Sequence, residues 1–262
     1  MKIMVTNEDG IFSPGVEAMI ETLQHFGEVY VVCPDQEFGT VNHSITARQP
    51  VRVKEMFHFP GVAGAWSLNG SPADCVKLGM EVLLPEKPDF LFSGINAGPN
   101  LGRDIYHSGT MAAAVEASLY NIPAASVSLN SGSLKHVNYS KVKTLFYQVA
   151  EVMLQHRAKS VGFLNVNLPN IDKRQFKGIQ VIPMDMSVSR YRFVGLHDPH
   201  GEVYYWLKDQ LQELATFHPT SDYLLLKEGY ITVSPIELRT HYKRKQEQVE
   251  RWFKSMETNT SE

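Results

Sequence analysis

Residues 2 to 33 pass from a short apolar run into a helical stretch and back to a second apolar run, and that order limits the fold more than any other feature of the chain. Ile3-Met4-Val5 has the length and side-chain type of a buried strand. Ser13-Pro14 is a helix start: the serine oxygen accepts a backbone N–H, and proline occupies a position whose own N–H would have no helical partner. The spacing predicts a helix to about Phe26, with Gly27 as its C-terminal cap, and then a strand over Val29-Tyr30-Val31-Val32-Cys33. Two strands joined through a helix pair in parallel, by a crossover that is right-handed in nearly every known case.

The unit recurs. Ser71-Pro72 repeats the start signal for a helix predicted to reach Leu84, and Pro88-Asp89 leads into the strand Phe90-Leu91-Phe92. A helix from Met111 to about Tyr120, a strand from Ala124 to Leu129, a helix over 139–156 with apolar Val142, Leu145, Phe146, Val149, Val152 and Met153, and a strand from Phe163 to Val166 follow. This alternation predicts an α/β fold with a mainly parallel sheet covered by helices on both faces. The 262 residues, 43% of them hydrophobic, suffice for one large domain of that type or two small ones.

From about Gly178 to Leu207 the pattern changes to short β-type pieces, "GIQVIP" and "GEVYYWL", which suggest a hairpin-like extension. "SDYLLLKEGYITVSPI" suggests a capped helical turn and a last strand near Tyr230 to Val233. In the tail, Leu238, Tyr242, Val249, Trp252, Phe253 and Met256 fall on one face of an otherwise charged helix, a stripe suited to packing on the body or on a sister subunit. The expected organisation is a core over 1–175 that carries the active site, a hairpin extension and return strand over 176–236, and an amphipathic helix with a frayed end over 237–262.

Charge narrows the partners. The formal net charge is −3, with Lys and Arg scattered, so there is neither the basic stripe that a nucleic-acid polymer requires nor a polybasic patch for a membrane surface. A small-molecule partner is expected. Cys33 and Cys75 lie far apart in apolar contexts and are read as buried thiols, neither a disulfide nor a metal pair. Met1 leads straight into a strand and no apolar run is long enough to cross a bilayer, so a cytoplasmic location is expected.

Ligands of parallel sheets gather beyond the carboxyl ends of the strands. Asn7-Glu8-Asp9 stand at the end of the first strand, the polar loop "PDQEFGTVNHSITARQ" follows the second, and "SGINAGPNLGRDIYHSGT" follows the strand at 90–92. Two adjacent acids are common in an ordinary exposed turn. At a ligand edge, however, neighbouring carboxylates repel unless a cation or proton sits between them, and carboxylate, amide and hydroxyl oxygens suit Mg²⁺ or Mn²⁺. Ser108-Gly109-Thr110 open a small-residue helix; they cap it and also offer a cradle for a phosphate. The glycine-rich segment matches neither the dinucleotide nor the Walker spacing, which argues against a nicotinamide oxidoreductase. His43 is either a substrate contact and proton donor or a plain surface histidine.

"VTNEDGIFSPG", "CPDQEFGTVNHSIT", "LNGSPADCVKLG", "SGINAGPNLGRDIYHSGTMAAAVEA", "NVNLP" and "EGYITVSP" resemble, in order and spacing, the SurE survival-protein family of metal-dependent nucleotidases, over about Met1 to Pro235. The resemblance implies a Rossmann-like αβα sandwich with a β-hairpin and a C-terminal extension used in homodimer or homotetramer contacts. It implies hydrolysis of nucleoside 5′- and 3′-monophosphates, with polyphosphate as a further substrate. It also implies one divalent cation per subunit on Glu8, Asp9, the position of Gly39, and Asn96. Two of these four depart from the family pattern: its usual aspartate is Glu8, and its usual serine is Gly39, which has no side chain to ligate. Thr40 or a water is then the substitute ligand. Asp9, Asn7, Asn96 and Ser108 are the expected catalytic set, Ser108, Gly109 and Thr110 the phosphate contacts, and Asn42, His43 and Ser44 the contacts to base or ribose. The alternative implied by Glu8 and Gly39 is a nucleotide-binding protein with weak or no catalysis.

Overall fold

The computed structural model describes residues 1–39, 42–132, 137–156, 162–172, 174–187, 189–210, 218–238 and 243–257. In chain order its strands are β1 (Lys2–Thr6), β2 (Glu28–Pro34), β3 (Val53–Glu55), β4 (Gly64–Leu68), β5 (Phe90–Asn96), β6 (Ala124–Asn130), β7 (Phe163–Pro169), β8 (Gly178–Val181), β9 (Tyr191–His197), β10 (Val203–Asp209) and β11 (Tyr230–Ile236). The helices are α1 (Pro14–Leu23), α2 (Pro72–Leu78), α3 (Gly109–Leu119), α4 (Tyr139–His156), α5 (Asp222–Glu228) and α6 (Lys243–Glu257).

Nine strands form one sheet in the order β3-β4-β2-β1-β5-β6-β7-β11-β8, parallel throughout except where β3 meets β4 and β11 meets β7. This is the expected α/β sandwich. Because side chains alternate across a strand, β1 serves two cores. Ile3 and Val5 pack with Phe92 and with Phe146 of α4, whereas Met4 packs with Leu91, Cys75 of α2 and Ala113 of α3. Cys33 and Cys75 are both free and buried, as the sequence suggested. β1 lies between β2 and β5, so the chain winds outward in both directions from there and a crevice opens beyond the carboxyl ends of β1 and β5.

Several local expectations shift. α1 begins as anticipated, with Ser13 Oγ accepting from Val16 N, but it ends at Leu23. Gly27 is no cap: a Cβ there would stand 2.2 Å from the Met1 carbonyl oxygen, so its service is to let the start of β2 approach the N-terminus. α2 stops at Leu78 and passes into a π-helical turn over Gly79–Leu83. β4, "GAWSL", was not anticipated; its pairing with β2 makes it a strand. "GIQVIP" is not part of the hairpin. Its residues Gly178–Val181 join the main sheet beside β11, and the hairpin consists of β9 and β10 alone, as a separate two-stranded sheet.

In α6 the stripe residues Trp252 and Phe253 are each 61% exposed, and Val249 is exposed as well. Tyr242 and the side chain of Met256 lie outside the described residues. Among the described residues no helix is long and apolar enough to cross a membrane.

Candidate active site at the end of β1 and β5

The three loops named from the sequence meet at this crevice. Phe38 N donates to the Glu8 carbonyl at 2.9 Å, which binds the loop after β2 to the loop after β1. Ala97 N donates to Asp9 Oδ2 at 3.2 Å, which binds the loop after β1 to the end of β5. Close backbone approach reinforces the second junction, since a Cβ on Gly15 in the first turn of α1 would lie 2.0 Å from the Ile95 carbonyl oxygen. Only glycine allows α1 to rest there.

Asn7 shapes the turn from beneath. It is fully buried, and its Nδ2 donates to the Gly10 carbonyl at 2.9 Å and to Ser13 Oγ at 3.0 Å, while its Oδ1 is buried without a partner. The side chain therefore braces the loop and does not reach the crevice. Glu8 and Asp9 are the groups that do.

Glu8 lies against the N-terminus of α3. Its Oε2 accepts from Gly109 N at 2.5 Å, and its Oε1 accepts from Thr110 Oγ1 at 3.0 Å and from Ser108 Oγ at 3.4 Å. The cradle assigned to a phosphate from sequence is held by the protein's own carboxylate, a favourable place for negative charge at a helix N-terminus. Burial pushes the Glu8 carboxyl above its ordinary range, and the donors at the helix tip oppose that rise. Ser108 also caps α3 by accepting from Met111 N, as its N-cap reading requires.

Asp9 is pushed up to about 7, first by burial and then by the like charges of Glu8 and Glu37, against the lowering effect of Ala97 N–H. Among the described residues no Lys or Arg forms an ion pair with Glu8, Asp9 or Glu37. Asn96 donates from Nδ2 to the Gly98 carbonyl at 2.6 Å, which leaves its Oδ1 as the atom available to a cation. The two uncompensated carboxylates, with the amide of Asn96 one residue before the Ala97 N–H that bonds Asp9, are hard oxygen donors of the kind that fits a divalent ion of the Mg²⁺ type. Among the described residues, here or elsewhere, no three or more His, Cys, Asp or Glu cluster as a metal centre, so the set rests on two carboxylates and an amide oxygen. Gly39 contributes no side chain, a Cβ there would meet nothing within 4 Å, and Thr40 lies outside the described residues.

Beyond Phe38, the part of the loop after β2 around His43 to Thr46 is tied to α2 and α3. Ser71 Oγ donates to the Ser44 carbonyl at 2.6 Å, Thr46 bonds Asp74 through both N and Oγ1, and His43 Nε2 meets Glu116 Oε2 at 2.7 Å. His43 is thus paired with a buried carboxylate on α3, about 10 Å along the helix from Gly109 at 1.5 Å rise per residue. The structure brings together Glu8, Asp9, Asn96, Ser108, Gly109 and Thr110. Among the described residues no hydrogen bond joins Asn42, His43 or Ser44 to that group.

A family model described as "Survival protein SurE" matches residues 3–191. The chain belongs to the SurE family. It is 38% identical over 245 residues to the "5'-nucleotidase SurE" of Alkaliphilus metalliredigens, covering 93% of this chain and 95% of that protein. It is 33% identical over 259 residues to the "5'-nucleotidase SurE" of Carboxydothermus hydrogenoformans, covering 98% of each. The crystal structure of the SurE protein from Aquifex aeolicus superposes with a TM-score of 0.83 at 30% identity, covering 96% of this chain and 99% of that one.

Two neighbours of the SurE acid pair, and one residue that holds the loop after β5, escaped the sequence reading. Glu37 adds charge near Asp9, and the Tyr139 hydroxyl is raised by burial and by Asp9. Arg190, at the root of the hairpin, donates to the Pro99 carbonyl at 3.0 Å in the loop after β5. Glu37 had a signal, its place in the polar block "CPDQEFGTVNHSIT" after β2; Tyr139 and Arg190 lie in no motif.

Proposed function

We propose that this chain is a 5′-nucleotidase of the SurE type, a phosphoric monoester hydrolase that releases phosphate from nucleoside 5′-monophosphates, with 3′-monophosphates and polyphosphate as further substrates. The observation that carries the reading is the convergence of the Asp9 and Glu8 carboxylates with the N-terminus of α3 at the crevice between β1 and β5. The nucleotidase names of the relatives support it and give no support to a non-catalytic nucleotide binder.

One Mg²⁺ or Mn²⁺ per subunit would be held by Asp9, Glu8 and Asn96. Such an ion, when bound, supplies Lewis-acid polarisation of a phosphoryl oxygen. The chain's own groups do the rest. Gly109 N–H and the Ser108 and Thr110 hydroxyls point at the place where phosphoryl oxygens gather charge as the ester bond breaks. Glu8 must leave this tip for them to act on substrate. Asp9, fixed by Ala97 N–H through one oxygen, keeps the other for orienting the attacking water, and Asn7 holds the turn that aims it. In this reading the exposed Trp252 and Phe253 of α6 and Trp206 of the hairpin make contacts between copies in a homodimer or homotetramer, and the enzyme works in the cytoplasm.

A screen of phosphorylated metabolites, each with Mg²⁺, Mn²⁺ or chelator, tests the reading. Phosphate release from AMP or GMP with metal, and none with chelator, is expected; absence of release from every ester with every ion overturns it. Gly39→Ser meets no steric obstacle and is expected to tighten Mn²⁺ binding severalfold by isothermal titration calorimetry. Unchanged affinity would show that the missing hydroxyl has no part in the site.

A further inference from the structure

Beside the tip of α3 a cleft of about 700 Å³ is lined by Arg103, Tyr106 and His107 on one wall and by Tyr191, Phe193 and Leu207 on the other, with Asp104 and Ser189 at its base. Its first wall is the 3₁₀ turn Gly102–His107, and His107 directly precedes Ser108, so the cleft begins one Cα step, about 3.8 Å, from the cap of α3. Its second wall is one face of the hairpin. Phe193 pairs with Leu207 and Tyr191 with Asp209, and paired residues share a face, so these side chains stand together. Val194 and Trp206 pair on the opposite face, which looks away from the cleft.

The walls are clamped from below. The buried Asp104 carboxylate accepts from Ser189 Oγ at 2.7 Å, from Arg190 N at 2.8 Å and from Tyr223 OH at 3.0 Å, which joins the 3₁₀ turn, the root of β9 and α5. The Arg190 guanidinium stacks over the Tyr191 ring, 4.7 Å from its centroid, and fixes that ring in place. The cleft is therefore preformed. Inside it the rings of Tyr106 and Phe193 are 63% and 72% exposed, an unusual state for large aromatics unless they are meant to be covered. Among the described residues Arg103 makes no hydrogen bond or ion pair, so its charge is also free to meet a ligand.

We propose that this cleft is the nucleoside subsite: the base stacks on the Tyr106 and Phe193 rings, Arg103 and His107 contact the ribose or a second phosphate, and the ester phosphate projects past His107 to the tip of α3. Aromatic faces accept any base, since each has a π surface, and this predicts a broad base preference. The volume lies within the range of small-molecule sites. The assignment moves base recognition from the Asn42-His43-Ser44 loop to the 3₁₀ turn and the hairpin. It rests on the nucleotidase reading for the phosphate but not for the nucleoside.

Two measurements on the full chain separate the two readings. The first is the ratio of kcat/KM on AMP to kcat/KM on ribose 5-phosphate, which has no base. Tyr106→Ala and Phe193→Ala are each expected to lower that ratio about tenfold, chiefly through KM for AMP. The second is calorimetric binding of adenosine to the metal-free protein, expected in the wild type and lost in Phe193→Ala. An unchanged ratio in both variants, or adenosine affinity that survives Phe193→Ala, overturns the subsite. If Phe193→Ala instead alters only the sedimentation coefficient, the face belongs to a second copy of the chain and the proposal falls. If no ester is hydrolysed while adenosine binds through Phe193, the nucleotidase reading fails and the nucleoside subsite stands.

Discussion

Asp9→Asn is expected to lower kcat/KM on AMP by about 10³-fold or more and at the same time to stabilise the metal-free protein. The first effect follows from the proposed role of Asp9 as a cation ligand: asparagine keeps the shape but removes the charge, and Lewis-acid assistance is worth several kcal/mol, with about 1.4 kcal/mol per factor of ten. The second follows from the crowding of Asp9, whose carboxyl is pushed up to about 7 by burial, Glu8 and Glu37. In the unfolded chain an aspartate titrates at about 3.9. Between those values the folded state binds a proton that the unfolded state does not, so stability falls as pH rises through the window and the full penalty is present above pH 7.

Asparagine escapes that penalty. Allowing for partial solvation, relief on the order of 2 kcal/mol corresponds to a rise of about 5 °C in the Tm of the chelated protein at pH 8, and to a smaller rise at pH 5. Differential scanning fluorimetry at both pH values, with chelator and with Mn²⁺, checks this. Mn²⁺ should raise the Tm of the wild type and leave Asp9→Asn unmoved. A variant that keeps its activity, or that melts below the wild type at pH 8 in chelator, would show that the carboxylate cluster is not a metal site under electrostatic strain.

Glu8→Asp is expected to tighten inorganic phosphate binding, and to lower KM for AMP, by about tenfold. Glu8 now spends its carboxylate on Gly109 N, Thr110 Oγ1 and Ser108 Oγ, the same donors that a phosphoryl group requires. An aspartate, which the resemblance implies at this position, is one methylene shorter and cannot extend as far into the helix tip. Shortening the side chain leaves those donors for the ligand, and a charge-assisted hydrogen bond is worth roughly 1.5–3 kcal/mol. The same change removes a favourable anion from the helix N-terminus, at about 0.3–1 kcal/mol, so the ligand-free variant should melt slightly lower and recover when phosphate is added. Competitive inhibition by phosphate, measured for both proteins at one pH and metal concentration, is the direct readout. Equal or weaker inhibition of Glu8→Asp would mean that Glu8 does not compete with phosphate for the tip.

Both expectations depend on contacts that no reading of neighbouring residues contains. Gly109 N and the Glu8 carboxylate are 101 residues apart in the chain, His43 and Glu116 are 73 apart, and Arg190 N and the Asp104 carboxylate 86. The adjacent acids, the Ser-Gly-Thr helix opening and the loop after β2 all carried local signals of function. What those signals omitted was occupancy: a cradle recognisable as an anion site is filled by the chain's own side chain. They also did not contain the partner of His43, a carboxylate on α3.

By itself the sequence determined the alternation of strand and helix, the helix starts at Ser13 and Ser71, the burial of both cysteines, and which three loops carry oxygen donors. Each is a near-neighbour property: a cap, a proline, or the spacing of apolar side chains acts within a few residues. Only the tertiary structure decided that β1 sits between β2 and β5, that "GIQV" completes the main sheet and "GAWSL" is a strand at all, and that the hairpin root closes a cleft with the 3₁₀ turn. The physical reason is that sheet order and hydrogen-bond partners across it are settled by the packing of the whole chain, where a donor and an acceptor a hundred residues apart meet because the strands beneath them are adjacent.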